Sequence, residues 1–278
     1  MSAERSVIVI DDPQDQRITY FRDIREKDMT RREGRFIAEG TVVLRMLAEA
    51  HRRGNGIVAE AVLVLRNRLA GIQDILERFP EDVPVYVAEQ AVIDAIAGFH
   101  LHRGILALGR REDAPDLDAE LASLPENALV VVACGISNHD NIGAIFRNAA
   151  AFGVDAVFLD QTSCDPLYRK ALRVSVGSVL SVPYMRGGSD TELVSRLADA
   201  GFDVFCLSPS GQRRITDVAP QGRTALVLGT EGEGLSPDIL SRFTVVSIAQ
   251  APGLDSLNVA TAAGIALHEI ASAAGRLR

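Results

Sequence analysis

A chain of 278 residues with 47% apolar and 24% charged side chains has enough hydrophobic material for one large domain or two ordinary ones, and its composition excludes a disordered or collagen-like chain. No apolar stretch reaches the ~20 residues of a membrane span. MSAERSVIVIDDP holds too short an apolar run for a signal peptide, and three cysteines without C-x-x-C or zinc spacing argue against a disulfide framework, so a reducing cytoplasm is expected. The net charge of −8 does not suit a protein that handles nucleic acid, but it is unevenly placed: residues 1–110 carry 16 basic and 17 acidic side chains, and residues 111–278 carry 13 and 20.

In chain order, the pattern first predicts a basic helix over 15–28. Residues 17–35 hold seven cations against four anions, with Tyr20 and Phe21 among them; such a face suits phosphate and equally suits plain solvation. Arg31, Arg32 and Arg35 are the candidate phosphate-binding cations there. FIAEG at 36–40 precedes a helix whose apolar stripe is Val43, Leu44, Leu47 and Ala48, ended by Gly54. Strands are expected at 61–66, 83–87 and 104–111, with helices at 69–79 and 88–99 between them, which makes residues 15–110 one α/β unit. The acidic, proline-containing stretch 111–127 is expected to be a linker with one short helix. Residues 128–278 form the second unit, with near-continuous apolar runs at 128–135, 154–160, 179–185, 202–208, 224–229 and 243–248. Runs of that kind separated by helical patterns predict a mainly parallel open α/β sheet, which binds ligands beyond the carboxyl ends of its strands.

The loops after those strands carry the polar residues. Neither G-x-G-x-x-G nor a P-loop is present. Asn141 and Arg147 lie on or just before one helix, ~9 Å apart along its axis, and their bland alternatives are a helix cap and a surface cation. Glu231 sits in the glycine-rich GTEGEG loop. Ser256 is expected to cap the Ala-rich helix that follows, with Asn258 one turn inside it. His139, next to Asp140, is a rival proton acceptor expected to be an ordinary loop residue. His100 and His102 alternate along a strand but lack a third ligand, so no metal is expected.

Three segments, NIGAIFRNAAAFG at 141–153, LVLGTEGEGLS at 226–236 and SLNVATAAGIALHE at 256–269, resemble in order and spacing the three motifs of the SpoU (TrmH) family of RNA ribose 2′-O-methyltransferases, of the SPOUT superfamily. RVSVGSVLSVPY at 173–184 resembles the family's segment between the first two motifs. FIAEG with GILALGRR resembles its N-terminal L30e-like RNA-binding domain. The resemblance implies a mainly parallel C-terminal sheet with a deep trefoil knot, preceded by a smaller L30e-like α/β domain, and a homodimer formed through the C-terminal domain. It implies S-adenosylmethionine as cofactor, held by Gly229, Ile248 and Leu257, a catalytic centre of Asn141, Arg147, Glu231, Ser256 and Asn258, and tRNA or rRNA as substrate. The family's base would be Arg147; because an arginine pKa exceeds ~12, orienting phosphate and stabilising charge rank equally as its role. One departure stands out: the family's I-P-M-x-G is here replaced at Ala249, Gln250 and Pro252, which reshapes the cofactor loop and motivates an alternative, an RNA-binding module without catalysis.

Overall fold

The computed structural model describes residues 5–22, 33–97, 104–112, 116–253 and 255–277. The chain divides into two compact units, Met1–Ala114 with Leu167–Ser181, and Pro115–Pro166 with Val182–Arg278. Among the described residues no helix is long and apolar enough to cross a membrane.

The first unit runs β1 (Ile8–Ile10), β2 (Arg35–Glu39), α1 (Thr41–Arg53), β3 (Ile57–Leu65), α2 (Gln73–Leu76), β4 (Val85–Ala88), α3 (Gln90–Ala97) and β5 (Ile105–Arg111). Its sheet has the order β1-β4-β3-β5-β2, and β5 runs antiparallel to both of its neighbours. Central β3 buries five consecutive residues, Ala61–Leu65, as a strand covered on both faces must. The stripe foreseen on α1 is buried at Val43, Leu44, Leu47 and Ala48, and Gly54 ends the helix in the left-handed conformation. The expected helix over 15–28 is corrected over residues 15–22, and residues 23–28 lie outside the described residues. A 3-10 turn spans Gln16–Phe21, Ile18 inside it is non-helical, and Arg22 is already extended. Burial of Ile18 and Phe21, together with the Asp15 carboxylate bonding both the main chain and the side chain of Arg17, holds this segment in a turn.

The second unit begins inside the stretch read as linker. There α4 (Leu117–Ser123) is capped by Asp116, and Leu121 and Leu124 join the core of the sheet that follows. The unit continues with β6 (Leu129–Ala133), α5 (His139–Ala151) and β7 (Ala156–Leu159); α6 (Arg169–Val174) lies in the segment that belongs to the first unit. It then resumes with β8 (Tyr184–Arg186), α7 (Asp190–Asp199), β9 (Asp203–Leu207), β10 (Arg213–Arg214), β11 (Thr224–Leu228), α8 (Pro237–Arg242), β12 (Thr244–Ser247) and α9 (Val259–Ala273).

All pairs in this second sheet are parallel, in the order β10-β12-β9-β11-β6-β7-β8. β6 and β11 are buried along their whole length, which is why their sequences are apolar without alternation. The strand expected over 179–185 shrinks to the three residues of β8. Gly177, at φ +83°, turns the chain against Met46, where an added Cβ would come within 2.7 Å of Met46 Cβ, and Leu180 accepts a hydrogen bond from Asn55. These contacts belong to the first unit. β10 is a two-residue strand that no apolar run announced.

Candidate active site

β6, β9, β11 and β12 end side by side, so the loops that leave them share one end of the sheet, where open α/β sheets bind ligands. Two observations show how tightly these loops are built. An added Cβ on Gly135, after β6, would lie 2.6 Å from Thr230 Cγ2, and one on Gly229, after β11, would lie 2.4 Å from the Gly234 carbonyl carbon. Residues 229–234 thus close back on themselves, with the Thr230 N–H donating to Gly234 O at 3.3 Å, and they present Glu231 at the tip.

α5 starts at Asn138, whose side chain accepts from the Asp140 N–H at 2.8 Å. Asn138, and not Asn141, is therefore the cap. Asn141 stands in the first turn, 6% exposed, and donates from Nδ2 to Glu231 Oε1 at 2.8 Å. Asn258 corrects the expected cap of the last helix: its Oδ1 accepts from the N–H groups of Ala260 and Thr261 at 3.0 and 3.2 Å, and so it caps α9. Its Nδ2 faces the other way, donating to Glu231 Oε1 at 2.6 Å and to Asn141 Oδ1 at 2.9 Å. Asn141, Glu231 and Asn258, more than 100 residues apart at the extremes, close a hydrogen-bonded triangle. α5 and α9 are held in register beside it by Asn148, which donates to Ala260 O at 2.8 Å.

The triangle borders a cleft at this end of the sheet. Gly229, Ile248 and Leu257 line it, as do Glu231 and Ser256. Gln250 lines it too, so the altered IAQAP segment still contributes to the wall. Leu207, Ser208 and Pro209 also line the cleft. Their loop escaped sequence reasoning, although its position after the apolar run 202–208 was a usable signal.

Arg147 is placed differently. Six residues at 100° each put it about 120° around α5 from Asn141, on the exposed face; it is not among the residues lining the cleft. Among the described residues no hydrogen bond or ion pair engages it. His139 opens α5 and is half buried. Arg35 donates to Glu60 Oε2 at 2.6 Å, to Glu33 Oε2 at 2.6 Å and to Tyr20 Oη at 3.0 Å; its hydrogen bonds to Glu60 raise its pKa. Arg31, Arg32, His100 and His102 lie outside the described residues.

A second polar cluster underlies the loop after β6. Asp160, 4% exposed, accepts from the N–H groups of Gly135 and Ser163 at 3.0 and 2.9 Å, from Ser163 Oγ at 2.6 Å, and from Thr162 Oγ1. Burial pushes its pKa up, but the bonds from Ser163, Thr162 and Gly135 outweigh burial and leave it below its ordinary value. No cysteine is poised to react: burial pushes the Cys206 thiol up to about 12 and the Cys164 thiol up to about 11.

The same fold recurs in solved structures. It matches the AdoMet-bound rRNA methyltransferase from Sinorhizobium meliloti with a TM-score of 0.80 at 21% identity, covering 98% of this chain and 99% of that one. It matches an RNA 2′-O ribose methyltransferase with a TM-score of 0.76 at 24% identity, covering 97% and 100%. The fold is thus one found among RNA methyltransferases. A curated relative, an uncharacterized tRNA/rRNA methyltransferase of Mycobacterium bovis, is 39% identical over 270 residues, which is 93% of this chain and 89% of the relative. The chain belongs to the SpoU rRNA methylase family, whose model matches residues 128–268.

Proposed function

We propose that this protein transfers a methyl group from S-adenosylmethionine to a ribose 2′-hydroxyl of tRNA or rRNA, and that it does so as a homodimer. The observation that carries the reading is the Asn141–Glu231–Asn258 triangle at the edge of the cleft, because it gathers one residue from each of the three motifs. The residues fit the cofactor. A largely apolar wall from Leu207, Leu228, Ile248 and Leu257 suits a flat heteroaromatic base, and the closely packed Gly229 turn supplies main chain for polar contacts. The insertion of β11 between β6 and β9, both earlier in the chain, supports the threaded topology that the family resemblance implies. On α9, Thr261, Ile265, His268 and Ser272 are exposed at helical spacing on one face, which supports pairing through the second unit.

When bound, the cofactor supplies an electrophilic methyl group on a sulfonium, and the protein supplies orientation and electrostatics. Gly229, Ile248 and Leu257 hold it in the cleft. Asn141 and Asn258 orient the Glu231 carboxylate, and Ser256 offers a hydroxyl at the cleft wall. Arg147, exposed and without a protein partner among the described residues, orients an RNA phosphate and stabilises developing charge.

The test has two arms. Calorimetric titration with S-adenosylmethionine should show binding by the folded protein; absence of binding would favour the catalysis-free RNA-binding module. Ribose methylation mapped across RNA from a strain lacking the gene, with and without complementation, should reveal one missing 2′-O-methyl mark that returns on complementation. A mark that appears on a base instead would overturn ribose specificity.

A further inference from the structure

Resting on that reading, we propose that Lys170 and Arg173, on the exposed face of α6, form a contact site for the RNA phosphate backbone on the first unit.

The sequence around them is set apart by its charge. Residues 166–189, between Asp165 and Asp190, are the longest stretch of the chain without an acidic side chain, and they hold Arg169, Lys170, Arg173 and Arg186. The rest of residues 111–278 carries nine cations against 20 acids, so this segment reverses the sign of the half in which it lies. Leu167–Ser181 packs as part of the first unit, and α6 with its three cations goes with it.

Lys170 and Arg173 are both exposed. Standing three residues apart, they are neighbours on one helix face, while Ala171 and Leu172 between them are buried. Availability sets Arg173 apart from other cations. Arg35, Arg52, Arg66 and Arg110 of the same unit are paired with carboxylates, and Arg186 donates to the carbonyls of Gln161 and Ser163. The Arg173 guanidinium engages no hydrogen bond or ion pair among the described residues. A cation that is not already neutralised can displace counterions from phosphate.

The end of α6 is also a rigid mount. The Gly177 N–H donates to Leu172 O at 2.9 Å and the Val176 N–H to Arg173 O at 3.2 Å, the pairing that closes a helix when the residue in the place of Val176 is left-handed. Val176 takes that conformation, with φ +49°, the one non-glycine residue to do so among the described residues. A β-branched side chain is disfavoured there and is kept only where its surroundings fix the backbone. They do so here. The buried Ser175 donates from Oγ to Leu172 O at 3.0 Å, Gly177 abuts Met46, and Leu180 O accepts from Asn55. A mount already fixed loses little freedom when RNA binds.

Replacing the pair in the full chain, Lys170→Gln with Arg173→Gln, tests the site, with bulk tRNA and ribosomal RNA from the strain lacking the gene as probes. Affinity for RNA should fall by roughly tenfold or more at ~0.1 M salt, and the slope of log affinity against log salt should flatten by ~1–2. Melting temperature and calorimetric affinity for S-adenosylmethionine should stay as in the wild type. The charge-keeping pair, Lys170→Arg with Arg173→Lys, should retain the wild-type slope. Unchanged affinity and slope in the glutamine pair would overturn the inference and leave the methyltransferase reading intact. Weaker affinity at an unchanged slope would overturn it too, because phosphate contacts are not lost without flattening the slope, and so would a flattened slope in the charge-keeping pair. A wild-type protein that binds neither RNA would bring down the reading and the inference with it.

Discussion

Arg147 and Asp160 are charged side chains in opposite circumstances, and each lends itself to a substitution with a distinct outcome. Arg147 is exposed and without a partner among the described residues, so Arg147→Ala should leave stability and cofactor affinity unchanged. It should lower turnover by ~100-fold or more, the loss seen when a preorganised electrostatic group is removed. Arg147→Lys keeps the charge without the planar fork, so partial recovery would identify simple electrostatics and no recovery a bidentate phosphate contact. Near-native methylation by the alanine variant would make Arg147 a plain surface cation. Asp160 is buried under four donors from Gly135, Thr162 and Ser163. Asp160→Asn should destabilise the protein by about 1–3 kcal/mol, because it places a donor among donors. Its pKa is lowered in the folded state, so its charge stabilises the fold above the ordinary aspartate value of ~3.9, and that contribution is lost as pH falls through the lowered folded value. Thermal unfolding should therefore show a gap between wild type and variant that is widest near neutrality and narrows in acid. A gap independent of pH would contradict the charge argument.

At the scale of elements, the loop 229–234 decides whether the motif residues meet. Gly229 has no room for a Cβ beside Gly234, so Gly229→Ala must push the loop open and move Glu231 off Asn141 and Asn258. Overpacking of this kind costs about 1–3 kcal/mol, and cofactor affinity should fall by roughly tenfold, equivalent to ~1.4 kcal/mol; calorimetry that finds unchanged affinity would mean the loop tolerates the change. In the first unit, a β-bulge between Ala59 and Ala61 sets Glu60 between two arginines, Arg35 at 2.6 Å and Arg110 at 2.9 Å. That network is invisible in the primary sequence because its members come from three strands, β2, β3 and β5. The six-residue spacing of Asn141 and Arg147 is the opposite case. Distance along the helix axis was easy to compute from sequence, but whether the two faced one ligand depended on which side of α5 the sheet and α9 cover.

For the molecule as a whole, the charge split between the halves predicts where RNA affinity resides. Counterion release makes log affinity fall with log salt by ~0.7–0.9 for each phosphate neutralised, so cations that bind RNA must be free to do so. Arg35 is held by Glu33 and Glu60. Arg35→Ala should consequently lower the melting temperature and leave the salt slope of RNA binding unchanged, whereas replacing Arg31 and Arg32 together should flatten the slope by ~1–2. A flattened slope from Arg35→Ala alone would show that RNA competes successfully for its guanidinium.

Much of this protein was legible in its sequence, for identifiable reasons. Strands buried on both faces must be apolar throughout, so β6, β7, β9, β11 and β12 announced themselves, and a parallel sheet places function in the loops that follow. Glu231, Asn141 and Asn258 were nameable because the three segments that hold them resemble the family's motifs in order and spacing. Tertiary structure alone decided the rest. The cap of α9 fell to Asn258 and not to Ser256 because the same side chain also had to reach Glu231. The strand expected over 179–185 shortened because Gly177 and Leu180 found partners at Met46 and Asn55, far away in sequence. Arg35 was paired with a carboxylate on β3, which lies beyond β5 in the sheet. Local pattern determines which segments fold and which of their faces are buried; which polar groups pair with one another is settled only when segments distant in the chain are brought together.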